Sequence, residues 1–217
     1  MHRTTSAVLM SALFAGAAAP AFADDLTPAP WRFGAGTTFE HWDFSAGPIG
    51  GPPDAPGTNL FNPYGTPIMT PTLGATWLPA ASGRTNVWFL GGTSMLTFDV
   101  PNTANTVNQK ELWLQITFQP PAAGGFPSTT IGSPNGLFTL IGAPSYTALP
   151  NNWIHELTRW SIGSCPPFER VSISSGVPGA GMFVDQVVID TRCFPVPAPG
   201  TAMLLGAGAL LAARRRR

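Results

Sequence analysis

The chain has 217 residues, of which only 10% are charged: eleven basic and eleven acidic, with three histidines besides. Gly and Pro occur 24 times each, which interrupts the chain too often for long helices and excludes a helical bundle. Residues 24–194 hold six of the basic and all eleven acidic side chains, so that stretch carries a net charge of −5 and is a poor partner for nucleic acid.

In chain order, Met1, His2 and Arg3 give a short positive start, and Ala7 to Ala19 is uniformly apolar. Ala21-Phe22-Ala23 has the small-x-small pattern of a cleavage site, and Asp24-Asp25 follows. This layout predicts a signal peptide over 1–23, helical until it is removed, and export through the Sec machinery.

The body over 24–194 is the length of one domain. Its segments are short and rich in Val, Ile, Thr, Phe and Trp. Strands are predicted at 37–44, 75–78, 85–90, 94–100, 110–119, 137–141, 168–174 and 182–190. The clearest is 110–119, where Leu112, Leu114, Ile116 and Phe118 alternate with Trp113, Gln115, Thr117 and Gln119. The segment 152–162 fits a helical stripe through Trp153, Leu157 and Trp160, but also alternates. The β-like spacing around it makes it a strand. Gly47 to Pro71 is a long, proline-rich irregular stretch, the kind of connection on which sandwich proteins carry binding surfaces. Eight or nine short strands predict an all-β, two-sheet antiparallel β-sandwich, jelly-roll-like in arrangement. Cys165 and Cys193 are expected to form a disulfide in an exported protein.

Catalytic constellations are thin. Glu40 and Asp43 are three apart on a strand and so point to opposite faces. Glu156 and Glu169 lie on different strands that could face one another as a glycoside hydrolase pair, yet nothing places them in a cleft. The body has only His41 and His155, with no nucleophile elbow and no zinc-ligand spacing. The body is therefore expected to be no enzyme. All seven tryptophans fall in the body, which raises carbohydrate binding as the alternative. Trp113 is the first candidate for stacking on a sugar and Gln115 its polar neighbour, since both share the polar face of their strand.

The C-terminal region, 195–217, has three parts. Val196-Pro197-Ala198-Pro199-Gly200 leads into Thr201 to Ala213, which carries no charge, and then Arg214, Arg215, Arg216 and Arg217. The thirteen middle residues make about 20 Å of helix, short against a hydrocarbon core of about 30 Å. Four arginines resist crossing a bilayer and would stay cytoplasmic. A Pro-x-Pro box, a short apolar helix and a terminal arginine cluster together resemble the PEP-CTERM sorting signal. The resemblance implies recognition by the membrane protease exosortase, transient inner-membrane anchoring, and release to the cell surface or outside the cell. Ala198 departs from the commonest form of the box, which has Glu there.

A second resemblance covers about 30 residues. Pro167-Phe168-Glu169-Arg170-Val171-Ser172-Ile173, followed by Phe183-Val184-Asp185-Gln186-Val187-Val188-Ile189-Asp190-Thr191-Arg192-Cys193, is similar to the closing strand of jelly-roll carbohydrate-binding modules. Such modules often hold a structural calcium there, which makes Asp185 and Asp190 the candidate ligands. Asp185 reads as sharing a strand face with Phe183, Val187 and Ile189; beside apolar neighbours it needs a metal, an arginine or backbone donors. The expected protein is thus an exported, structural or adhesive envelope or matrix component. A polysaccharide-binding module is the alternative and a glycoside hydrolase the third reading.

Overall fold

The computed structural model describes residues 24–45, 47, 50–53, 60–105, 108–121, 124–177 and 179–195. The predicted signal peptide with Ala21 and Ala23, and the sorting motif with Val196, Pro197, Ala198, Pro199 and Arg214 to Arg217, lie outside the described residues. Among the described residues, no helix is long and apolar enough to cross a membrane.

The described chain forms fourteen strands: β1 (Thr37–Trp42), β2 (Leu60–Phe61), β3 (Ile68–Pro71), β4 (Ala75–Ala81), β5 (Arg84–Leu90), β6 (Met95–Pro101), β7 (Asn108–Gln119), β8 (Ser128–Ser133), β9 (Gly136–Leu137), β10 (Thr139–Leu140), β11 (Ser145–Ala148), β12 (Ile154–Ile162), β13 (Phe168–Ser174) and β14 (Met182–Pro195). They pair antiparallel in two sheets, which form a sandwich. The larger runs β10-β12-β7-β14-β1-β2, with β11 added beside β12 and the β4–β5 hairpin added beside β14. The smaller runs β3-β6-β13-β8-β9.

The alternation of β7 sets the core. Leu112, Leu114, Ile116 and Phe118 enter the interior with Val184, Val187 and Ile189 of β14. They meet Leu96, Phe98 and Val100 of β6 and Val171 and Ile173 of β13 from the facing sheet. Trp42 and Phe98 pack edge-on at 4.8 Å between centroids, across the two layers. The β4–β5 hairpin turns on Ser82 and Gly83, both at positive φ, the backbone that a two-residue hairpin requires. A Cβ on Gly83 would come within 2.7 Å of the Asn151 side-chain amide, so glycine also admits a close neighbour.

The ambiguous 152–162 segment is a strand. It pairs with β7 along its whole length, from Ile154 opposite Phe118 to Ile162 opposite Lys110, and this long ladder outweighs its helical stripe. The single strand predicted at 137–141 is instead two. Leu137 pairs in the smaller sheet and Leu140 in the larger, because the chain crosses between layers at buried Phe138. The last strand runs on past Asp190 to Pro195, which carries Cys193 into the sheet, and Cys165 and Cys193 form a disulfide.

Candidate functional site

Three places hold polar chemistry. The first is the outer face of the larger sheet, where the sequence put Trp113 and Gln115. That face is not open to solvent. Residues 24–34 lie across it as a strap. The Thr27 amide donates to Gln115 Oε1 at 3.0 Å, and Gln115 Nε2 donates to Asp25 at 2.8 Å. Trp31 meets Trp113 edge-on at 6.1 Å, and Ala29 packs beside Trp113 and Leu157. Trp113 is 8% exposed and Gln115 only 1%, so both candidate sugar contacts are occupied by the protein's own chain. Trp113 is further covered by Arg159, whose guanidinium sits 4.1 Å from its ring, and its indole N–H donates to Glu111.

Asp190 belongs to the same layer. Arg32 of the strap donates to both of its oxygens at 2.6 Å and also binds Asp25. Burial pushes the Asp190 carboxyl up to about 6 against the pull of Arg32. For Asp25 burial acts in the same upward sense, but the hydrogen bonds and charge of Arg32 outweigh it and the carboxyl ends below its ordinary value.

The second place is a cavity of about 430 Å³ whose lining includes Asp43, Arg84, Asn86, Asn151, Asp185 and Gln186. Arg84 donates to Asp185 at 2.5 Å and also binds Asp24. The register of β14 slips between Val184 and Gln186. This bulge removes Asp185 from the core face, where Val184, Val187 and Ile189 remain, and turns it toward Arg84. The strict alternation assumed from the sequence fails there. Asp185 and Asp190, the calcium candidates, are thus held by two different arginines, and among the described residues no three His, Cys, Asp or Glu side chains cluster closely enough to hold a metal ion.

The third place was not singled out from the sequence. Between the sheets, at the end where β7 begins, Thr38 and Glu40 of β1, Lys110 of β7 and Thr191 of β14 meet Asn102, just after β6, and Glu169 of β13. Glu40, Lys110 and Glu169 are each 0% exposed. Lys110 Nζ donates to Thr191 Oγ1 at 2.8 Å and lies 3.4 Å from Glu169 Oε1. Asn102 Nδ2 donates to that same oxygen at 2.7 Å. Asn62 Nδ2 donates to Glu40 at 2.8 Å, and Thr38 Oγ1 donates to it at 3.3 Å. Burial holds both carboxyls above their ordinary value, Glu40 well above it, with the nearby Glu169 charge adding to the effect on Glu40. Burial likewise lowers the Lys110 ammonium. Two carboxyl groups do come near one another, therefore, but they are Glu40 and Glu169, not the Glu156 and Glu169 that the sequence left free to face each other, and both are 0% exposed.

The histidines lie apart from this cluster. His155 Nδ1 is 3.2 Å from Thr117 Oγ1 on the strap-covered face, and burial lowers its pKa. None of the seven tryptophans is exposed: Trp42, Trp88, Trp113 and Trp153 are buried and Trp31, Trp77 and Trp160 partly so. The sequence signal for the interior cluster was a lysine, the only one in the chain, heading an otherwise apolar strand face. In comparisons with known proteins, no family model matches the chain, and none of the curated proteins matches it.

Proposed function

We propose that this is an exported, non-catalytic β-sandwich, jelly-roll-like in arrangement, that serves as a structural or adhesive component of the cell envelope or extracellular matrix. In this reading the PEP-CTERM-like tail holds it in the inner membrane until exosortase releases it. The Cys165–Cys193 disulfide carries the reading, because a cystine persists in oxidising compartments and is rare in the reducing cytosol. Two further features agree with it. The backbone N–H of Asp24, the residue after the expected cleavage point, donates to Gln186, so the body is tied down from that residue onward. The carboxylates and indoles that could serve a substrate are engaged with arginines or with the core.

Intact-mass analysis of the exported protein is the test. The expected species starts at Asp24 and ends within the 196–200 box. A species that retains Arg214 to Arg217 in the envelope would overturn the sorting step.

Polysaccharide binding has one observation in its favour, the polar cavity around Arg84, whose amides and charges suit sugar hydroxyls. A pull-down on extracellular polysaccharide, with and without calcium, compares wild type with Arg84→Ala. Retention that Arg84→Ala abolishes would favour this second reading over the structural one.

A further inference from the structure

A lysine at zero exposure is costly for a fold and is kept there only with polar partners. A chain that carries eleven basic residues has placed its single lysine between two sheets, rather than on the surface where lysines ordinarily lie. Its neighbours are a carboxyl group and a primary carboxamide. Asn102 Nδ2 and Lys110 Nζ approach the same oxygen of Glu169, at 2.7 Å and 3.4 Å. Asn102 Oδ1 is buried with no hydrogen-bond partner among the described residues. A carboxamide whose carbonyl oxygen is left bare beside a buried acid is set to accept a proton-sharing hydrogen bond from it.

The geometry points to an intramolecular amide between Lys110 and Asn102, formed by the folded protein itself with Glu169 as the proton shuttle. The neutral Nζ adds to Cγ of Asn102, and the Nζ–Cγ bond forms as the Cγ–Nδ2 bond breaks. Glu169 takes one proton from Nζ and delivers it to Nδ2, which leaves as ammonia. Atoms balance without oxidant, cofactor or added reactant: an amine and a primary amide become a secondary amide and ammonia. Each element of the fold has a part. β7 and the residue just after β6 bring amine and amide to the same oxygen of Glu169 from opposite sheets, β13 supplies that acid, and Thr191 of β14 fixes Nζ at 2.8 Å. The interior excludes water, so hydrolysis does not compete. Burial raises the Glu40 carboxyl and so disfavours a second negative charge beside Glu169.

The bond would join the two sheets at the end of the sandwich that the disulfide also closes, since Cys193 lies opposite Lys110 in the β7–β14 ladder. This inference is independent of the export reading, because the reaction needs only the folded body.

Two measurements on the purified full-length protein, reduced and then denatured, test it. The intact mass should be lower than the sequence mass by one ammonia, and endoproteinase Lys-C should leave the chain uncut, since its sole site is blocked. The loss should map to a closed 102–110 segment. Glu169→Gln and Asn102→Ala should each restore full mass and cleavage after Lys110. A wild-type chain of full mass that Lys-C cuts into two pieces overturns the proposal. Loss of water instead of ammonia also overturns it, since that would place the bond on a glutamate.

Discussion

Glu156 lies on the core side of β12, 5% exposed, and burial pushes its carboxyl up to about 7. Its folded pKa is raised above the unfolded value of 4.5. The folded state therefore binds the proton more tightly, and the stability this contributes is fully present below about 4.5 and lost as pH rises through 7. Integrated over that window the effect is at most about 3 kcal/mol. His155, lowered by burial, slopes the opposite way, losing stability as pH falls below its ordinary value, so the comparison must be between variants. Glu156→Gln, which cannot ionise, should flatten the fall in thermal midpoint between pH 5 and 8 that wild type shows. Equal slopes in the two proteins would exclude Glu156 as the cause. Arg32 supports a second prediction at this scale. It satisfies both oxygens of Asp190, whose side chain is wholly buried. Arg32→Ala strands that carboxyl and should cost about 3–5 kcal/mol in chemical denaturation. Adding Asp190→Leu to the same protein should recover much of the loss, because the cost lies in the unpaired charge and not in the missing ion pair.

The strap over residues 24–34 changes what alternation means in this sheet. In β7 the sequence sorted its residues onto the correct faces, and Leu112, Leu114, Ile116 and Phe118 are core. Trp113, Gln115 and Thr117 are equally buried, because the strap supplies partners for the polar groups, as in the pair of bonds between Gln115 and the Asp25–Thr27 segment. Alternation reports which residues share a face but not what covers that face. The strap has no periodicity of its own; it contains Pro28 and Pro30 and turns at Ala29 and Trp31, so no sequence pattern announced it. Similar limits explain the split at 137–141 and the bulge at Asp185, where one residue of slippage exchanges faces. The interior Glu40–Lys110–Glu169 group escaped notice for a related reason: its members come from three strands far apart in sequence, and only the antiparallel registers bring them together. The strap's weight can be measured through Trp31. Trp31→Ala removes its edge contact with Trp113 and its contact with Arg192, and should cost about 2 kcal/mol, with tryptophan emission shifted to the red as Trp113 is wetted. An unshifted spectrum would mean that the outer face stays covered without it.

At the scale of the whole molecule, the two sheets differ in how they are held at their ends. The middle of the sandwich is packed by Trp42, Phe98, Leu114 and Ile173, but the end where β7 begins holds ionisable groups in place of aromatic ones. Burial of those groups costs free energy that their mutual hydrogen bonds and charges must offset, and the covalent closure lies at that same end. Cys165 sits between β12 and β13, bridged to Asn105 by paired backbone hydrogen bonds of 2.9 Å, and Cys193 occupies β14 directly opposite Lys110. The disulfide spans 28 residues of sequence and so restricts the unfolded chain by about 3 kcal/mol on the loop-entropy account. A Cys165→Ser, Cys193→Ser double variant should lose at least that much, seen as a drop of roughly 1 M in the urea midpoint. Hydrogen exchange separates the two contributions. If the disulfide acts only on the unfolded chain, amide protection in the folded state falls evenly along every strand. If it also seals the polar end, protection falls first at Cys193, whose amide donates to Gly36, and at the start of β7, while the middle of β13 keeps its rate. The second pattern is the expected one, because opening that end lets water reach Glu40, Lys110 and Glu169, the groups with most to gain from it.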